Sequence, residues 1–394
     1  MRASTVSKSA RLFVVASLGW FVLWQSTTLL GYGRRTAVVL GLYGFVFHTI
    51  FGKAYALVPS YFARPLAFPK APLVHLPLAI GGTGAMAVDA AGLSSVGVVG
   101  TIAWGLGTVV FVTTIAWSVR DNLTGAETGT GEAKVTRRRV DRFANGFVPL
   151  ALGYLLVGTV LSVVTALGYT AFVPFAVAGA PLTHLFAVGT ATLFVFALGF
   201  RLLPRFLVVL PREWLVAVVL PLAAAAPLFL VIDFGGGALF RLGAGLQTVA
   251  LVGFALAYID MFRRSQRRRV GLYTFLIAVI SGATVGLLGL HMAFAGLSLE
   301  AAEVHVRVAL LGFLGLAIVG ISYQFYPPGV ASFPGIDDRT AAAAVALLAV
   351  GLAVESGGLL AGYDPAVPPG RGLALAGAAL HALVLGVVFV ERWR

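Results

Sequence analysis

Twelve apolar runs, each of about 20 residues or more, constrain this chain more than any other feature, because a run of that length crosses the roughly 30 Å hydrocarbon layer as a helix. They fall at about residues 10–32, 36–60, 71–93, 95–119, 146–168, 179–204, 212–233, 237–262, 270–296, 301–327, 339–361 and 371–391. A helix satisfies its own backbone in lipid, and none of the runs shows the period-two alternation of a membrane barrel strand. Charged residues make up 11% of the chain, against about a quarter in soluble domains. The expected fold class is all-α: a polytopic membrane protein with 12 transmembrane helices forming a single transmembrane domain over 1–394. The first run follows Arg2, Lys8 and Arg11 but is longer than a signal-peptide core and has no evident small-residue cleavage site, so it reads as a retained first helix.

The net charge of +13 raises nucleic acid as a partner, yet the basic residues form no stripe with interleaved aromatics, and no nucleic acid is expected. Membrane orientation accounts for them. With the N-terminus in the cytoplasm, the inner loops hold Arg120, Lys134, Arg137, Arg138, Arg139 and Arg142; Arg201, Arg205 and Arg212; and Arg263, Arg264, Arg267, Arg268 and Arg269. Four of the 28 Lys and Arg fall outside (Arg34, Arg35, Arg241, Arg371), and two lie within helices (Lys53, Arg307). The positive-inside rule then places both termini in the cytoplasm and the chain in the cell membrane. With no cysteine, thiolate metal sites are excluded, and any metal must be held by His, carboxylate, Met or Tyr.

Three runs share one template: Gly, a small residue eight positions on, an aromatic three further and a Pro four further. They read Gly44, Gly52, Tyr55, Pro59; Gly189, Ala197, Phe200, Pro204; and Gly312, Gly320, Tyr323, Pro327. Cutting the chain at two polar connections puts the template on the second helix of each of three four-helix pseudo-repeats, about 1–120, 146–265 and 268–394. The connection 120–145, rich in Gly, Thr and charge, reads as a mobile cytoplasmic loop. Glycines eight apart lie on nearly one helix face and admit either a neighbouring helix or a flat ligand.

All six His fall within or at the ends of helices, where a polar ring needs a partner. His184 lies near the outer start of the sixth helix, His291 about two turns before the outer end of the ninth, and His305 just inside the outer start of the tenth. At a rise of about 1.5 Å per residue the three share one level. Three imidazoles at one depth can make a metal site or hold a porphyrin axially; alternatively, each hydrogen-bonds a carbonyl or hydroxyl between helices. Met292 points about 100° away from His291. His48 and His381 sit near the middle of the second and twelfth helices, and His75 starts the third.

Glu303 and Arg307 have the favoured spacing of a helical ion pair and bracket His305. They mark either a polar interior at the outer end of the tenth helix or an interfacial pair reaching water. Lys53 has no partner within its own helix and either reaches toward the cytoplasm or faces the same interior as His48. Glu355 and Asp260, near helix ends, read as interfacial. Phosphate-binding loops, hydrolase elbows and the HExxH motif are missing.

The stretch from His305 through Arg307, Gly312, Gly320, Tyr323 and Pro327 resembles helix 10 of the haem-copper oxidase subunit I superfamily, which includes nitric oxide reductase large subunits. It is also similar to the NnrS-type membrane proteins associated with denitrification, which bind haem and copper. The resemblance implies 12 helices with the second, sixth and tenth lining the pores. It implies that His305 stands at the axial ligand of the high-spin haem, that Arg307 replaces the low-spin haem ligand, and that His184 lies near a copper ligand. The His-His pair expected between Trp214 and Asp233 is absent, no Tyr follows His184 four residues on, and His48 lies deeper than the family's low-spin haem ligand. The resemblance therefore implies a degenerate member that binds haem b or copper through His305 with His184, His291 or His48 and handles NO, copper or haem, without being a terminal oxidase. Two other readings stay open. One is a transporter or channel with a polar path past Glu303, Arg307, Lys53, His48 and His381; the other is a non-catalytic partner of a respiratory complex.

Overall fold

A computed structural model describes residues 2–129, 135–169, 171 and 178–393; Lys134, counted above among the inner cations, lies outside them. Every regular element among the described residues is helical. Twelve helices are long and apolar enough to cross a membrane: α1 (Lys8–Leu29), α2 (Arg34–Tyr61), α3 (Ala71–Ala90), α4 (Gly97–Val119), α5 (Val135–Ala166), α6 (Ala180–Leu207), α7 (Glu213–Ile232), α8 (Ala238–Arg264), α9 (Val270–Ala295), α10 (Leu299–Val330), α11 (Asp338–Ala361) and α12 (Asp364–Glu391). The chain is a polytopic, all-helical membrane protein.

Helices α2, α6 and α10 form the centre. Their apolar stretches are 78%, 78% and 72% buried, against 61% or less in every other span. Phe47 of α2 meets Phe186 of α6 at 5.8 Å, and Phe196 of α6 meets Phe313 of α10 at 6.2 Å. The remaining spans touch in a closed circuit, α1–α3–α4–α5–α7–α8–α9–α11–α12 and back to α1. A helix that is apolar all round belongs inside such a circuit.

Each central helix widens into a π-helical segment of eight residues: Val39–Val46, Leu185–Thr192 and Val308–Gly315. Each segment contains the first template glycine. These glycines receive neighbouring side chains. A Cβ on Gly44 would come within 2.8 Å of Trp20, one on Gly189 within 2.8 Å of Tyr154, and one on Gly312 within 2.9 Å of Leu352 and 3.0 Å of Ser281. Further along, Gly52 admits the Ala10 carbonyl and Gly320 the Gly271 carbonyl, each 2.7 Å from the added carbon. Of the two uses expected for the glycine face, close helix packing is the one built here.

The template prolines share one end of the bundle, where Phe206 of α6 meets Phe325 of α10 at 5.7 Å and Arg201 lies 4.0 Å over the Tyr61 ring. His184 and His305 mark the opposite end. At the proline end, the expected mobile loop is docked where it is described. Asn122 Nδ2 donates to the Phe62 carbonyl (2.7 Å), while Thr128 Oγ1, Asn145 Nδ2 and Arg201 Nη1 converge on the Tyr61 carbonyl (2.7, 2.9 and 3.0 Å). Carbonyls at a helix C-terminus have no partner within the helix, so polar loop side chains find acceptors there. Residues Val135–Asn145 are themselves helical and lead into the apolar part of α5.

Arg64 adds ion pairs to Asp121 (2.9 Å) and Glu127 (2.6 Å), and its guanidinium holds both carboxyls below their ordinary 3.8 and 4.5. Depressed carboxylates contribute to docking above their ordinary range, and the contribution is lost as pH falls through and below it. A nitroxide on a Cys introduced at Ala126, in a chain with no native Cys, is therefore expected to be immobile at neutral pH and to gain mobility only in acid. In Arg64→Ala it should be more mobile than in the parent at neutral pH and lose the pH dependence, with the hydrogen bonds to the Tyr61 and Phe62 carbonyls still in place; mobility independent of both pH and Arg64 would show that the ion pairs do not hold the loop.

Candidate functional site

At the histidine end, Gly179 turns the chain into α6 with φ 73°, and Ser298 caps α10 by accepting the Ala301 N–H at 3.0 Å. The first turns so formed, Ala180–His184 and Leu299–Arg307, lead directly into the π segments. They bring His184 and His305 together, with ring centres 6.2 Å apart and planes 17° from parallel. Phe234 packs 5.1 Å from the His184 ring. Gly289 of α9 makes room for His305, since a Cβ there would come within 3.1 Å of that ring.

The two rings present free nitrogens. His184 Nδ1 donates to the Ala180 carbonyl at 2.8 Å, which leaves the lone pair on Nε2. His305 Nδ1 is buried with no hydrogen-bond partner. Two neutral imidazole acceptors are the donor type that zinc, copper and iron take.

His291, expected at the same level, is exposed on α9 and is not part of the pair. Gly289 is the α9 residue that faces His305, and two residues further the helix has turned by about 200°. The three-His metal site therefore does not form: no group of three or more His, Asp or Glu able to hold a metal ion occurs among the described residues.

The deeper histidines serve the interior. His48, His75 and His381 are each 0% exposed. His48 Nδ1 donates to the Tyr43 carbonyl of its own π segment at 3.0 Å. His75 Nδ1 shares a hydrogen bond with Tyr55 Oη (3.1 Å) and His381 Nδ1 one with Tyr323 Oη (2.9 Å), so histidines from other helices hold two of the three template aromatics. In all three rings Nε2 is buried without a partner. Phe13 of α1 flanks both His48 and His75, at 6.1 and 5.0 Å.

The charged residues pair across the fold rather than along it. Arg307 binds Glu355 of α11, with Nε and Nη2 at 2.9 and 2.7 Å from Oε2, and Nη2 also reaches Gln25 Oε1 of α1 at 3.1 Å. Arg371 of α12 joins Glu355 Oε1 (2.8 Å) to Glu303 Oε1 (3.0 Å). The expected Glu303–Arg307 pair is thus replaced by a four-charge chain, and Glu355, expected at the interface, is 0% exposed. Arg371, assigned to an outer loop, lies within α12. Lys53, which is half-buried, finds its partner on α10 beside the template proline: Nζ donates to Tyr326 Oη at 2.9 Å and lies 4.4 and 4.1 Å over the Phe325 and Tyr326 rings. Gln25, Glu355 and Arg371 were missed as site residues. The only sequence signal for them was that each is a polar group inside or beside an apolar run, which does not name a partner.

No protein-family model matches this chain, and no curated protein matches it.

Proposed function

We propose that the chain is a degenerate relative of haem-copper oxidase subunit I that holds a metal ion, copper before others, between His184 and His305, with both termini in the cytoplasm. The observation that carries this reading is the near-parallel imidazole pair with a lone pair free on His184 and a buried, unpartnered Nδ1 on His305. A metal–nitrogen bond of about 2.0–2.1 Å, with about 1.2 Å from ring nitrogen to ring centre, would put two rings that share one ion no more than about 6.4 Å apart, centre to centre. The observed separation is 6.2 Å. Imidazole suits copper, zinc and iron, and copper binds tightest in the divalent series. Once bound, the ion would supply a Lewis-acid centre for a small ligand such as NO.

A haem fits less well, because Trp20, Tyr154, Ser281 and Leu352 already cover the template glycines that a macrocycle would lie on. The three π segments at matching template positions support the three-arc organisation. Lys53, Arg307 and Glu303 each have a partner, which leaves a permeation path without a supporting observation.

Copper titrated into the detergent-purified protein is expected to bind one ion per chain. His184→Ala and His305→Ala should each weaken binding by more than about 100-fold, since even an outer hydrogen bond to a ligand is worth about 10–100-fold. His291→Ala should bind as the parent does. Equal copper binding by the parent and His305→Ala would sink the assignment, and a stoichiometric Soret band lost in His305→Ala would replace the ion with haem.

A further inference from the structure

At the proline end, a cavity of about 290 Å3 opens among α6, α10 and the α8–α9 connection, lined by Arg205, Phe206, Val208, Arg267, Arg269 and Gln324. No carboxylate lines it. Arg205 is committed to Asp141 at 2.6 Å. Three neighbouring cations are also committed: Arg212 and Arg264 share Asp260 at 3.2 and 2.5 Å, and Arg268 turns back onto the Phe262 and Ser265 carbonyls. Arg267 and Arg269 differ, being exposed and forming no ion pair among the described residues. Gln324 Nε2 is buried without an acceptor. It sits at the first turn of α9, where a Cβ on Gly271 would come within 2.7 Å of it. The N-cap of that 26-residue helix, Arg269, supplies no side-chain cap, so first-turn N–H groups add to the positive potential.

We propose that this cavity binds a phosphate group, that of an anionic phospholipid headgroup or free phosphate, on Arg267, Arg269 and Gln324. The cationic, donor-rich lining asks for an anion with several acceptor oxygens. The apolar wall favours the lipid source, since Val208 is 59% exposed and Leu210 beside it 39%. Basic pockets between transmembrane helices are a recurrent form of headgroup recognition. This site is independent of the histidine pair at the opposite end.

The full-length protein is tested in nanodiscs of phosphatidylcholine with and without phosphatidylglycerol, and in detergent with inorganic phosphate. Phosphatidylglycerol is expected to raise the melting temperature and to remain bound in native mass spectrometry. Arg267→Ala/Arg269→Ala should lose both effects, with affinity lowered by about tenfold or more. That variant leaves the Asp141 and Asp260 ion pairs in place, so it should melt as the parent does in pure phosphatidylcholine. Stabilisation of the parent, but not the variant, by inorganic phosphate alone would identify the source as free phosphate. The same phosphatidylglycerol response in parent and variant, or no response to either source, would overturn the proposal.

Discussion

Replacing Glu355 with Gln is expected to destabilise the bundle by about 3–5 kcal/mol, the cost of breaking a buried ion pair by removing one partner. The Glu355 side chain is 0% exposed and accepts from Arg307 on one oxygen and from Arg371 on the other. Gln keeps the shape and removes the charge, which leaves Arg307, itself 3% exposed, without a carboxylate. Arg371 keeps Glu303, whose side chain is 46% exposed, so the loss concentrates on Arg307. Arg307→Ala should cost less than Glu355→Gln, because Glu355 would then keep Arg371. Replacing both members, Arg307→Met with Glu355→Leu, should also cost less than Glu355→Gln, since well-packed apolar groups replace a buried pair at little or no cost. Equilibrium unfolding in detergent measures all three variants. A Glu355→Gln change within about 1 kcal/mol, the value of a solvated pair, would mean that water reaches the guanidinium.

Gly370→Leu is expected to cost about 3 kcal/mol or more, at or beyond the upper end of overpacking, by prising α12 from α11. An added Cβ would come within 2.5 Å of Glu355 N and 2.8 Å of the Gly351 carbonyl. The two helices meet backbone to backbone along this seam: a Cβ on Gly351 would lie 2.6 Å from Ala374 N, and one on Gly377 2.8 Å from the Ala344 carbonyl. Backbone atoms cannot swing aside as side chains do, so the helices must separate. Separation also draws Arg371 away from Glu355, which ties this packing seam to the charge chain. A double-mutant cycle with Glu355→Gln should therefore be less than additive. Gly372→Leu is the control, with nothing within 4 Å of an added Cβ, and should stay within about 0.5 kcal/mol. Equal melting of the Gly370 and Gly372 variants would mean that the seam opens freely.

The twelve spans were legible because transfer into lipid depends on the length and polarity of each segment, which a sequence states directly. The template also marked the three central helices, since glycine at spacing eight is a local property of one face. The shared level of His184 and His305 was readable from depth alone, because both open their helices at the same end. His291 shows the limit of that reasoning: depth along α9 was sufficient to group it with the others, but its angle around the axis turned it outward and left Gly289 facing His305. The widened pitch of the π segments was not legible, although each of them holds the first template glycine.

Glu303 and Arg307 show the same limit for charge. Their spacing obeys a local helical rule, but Arg307 took Glu355, 48 residues away, and Lys53 took Tyr326, 273 residues away. By itself the sequence determined that this chain is a twelve-helix membrane protein, which helices are small-faced enough for its centre, and which end of the bundle carries His184 and His305. Only the tertiary structure decided which histidines meet, which charges pair and which glycines are filled. Hydropathy and depth run along each helix separately, whereas a helix's rotation and its neighbours arise from packing all twelve together.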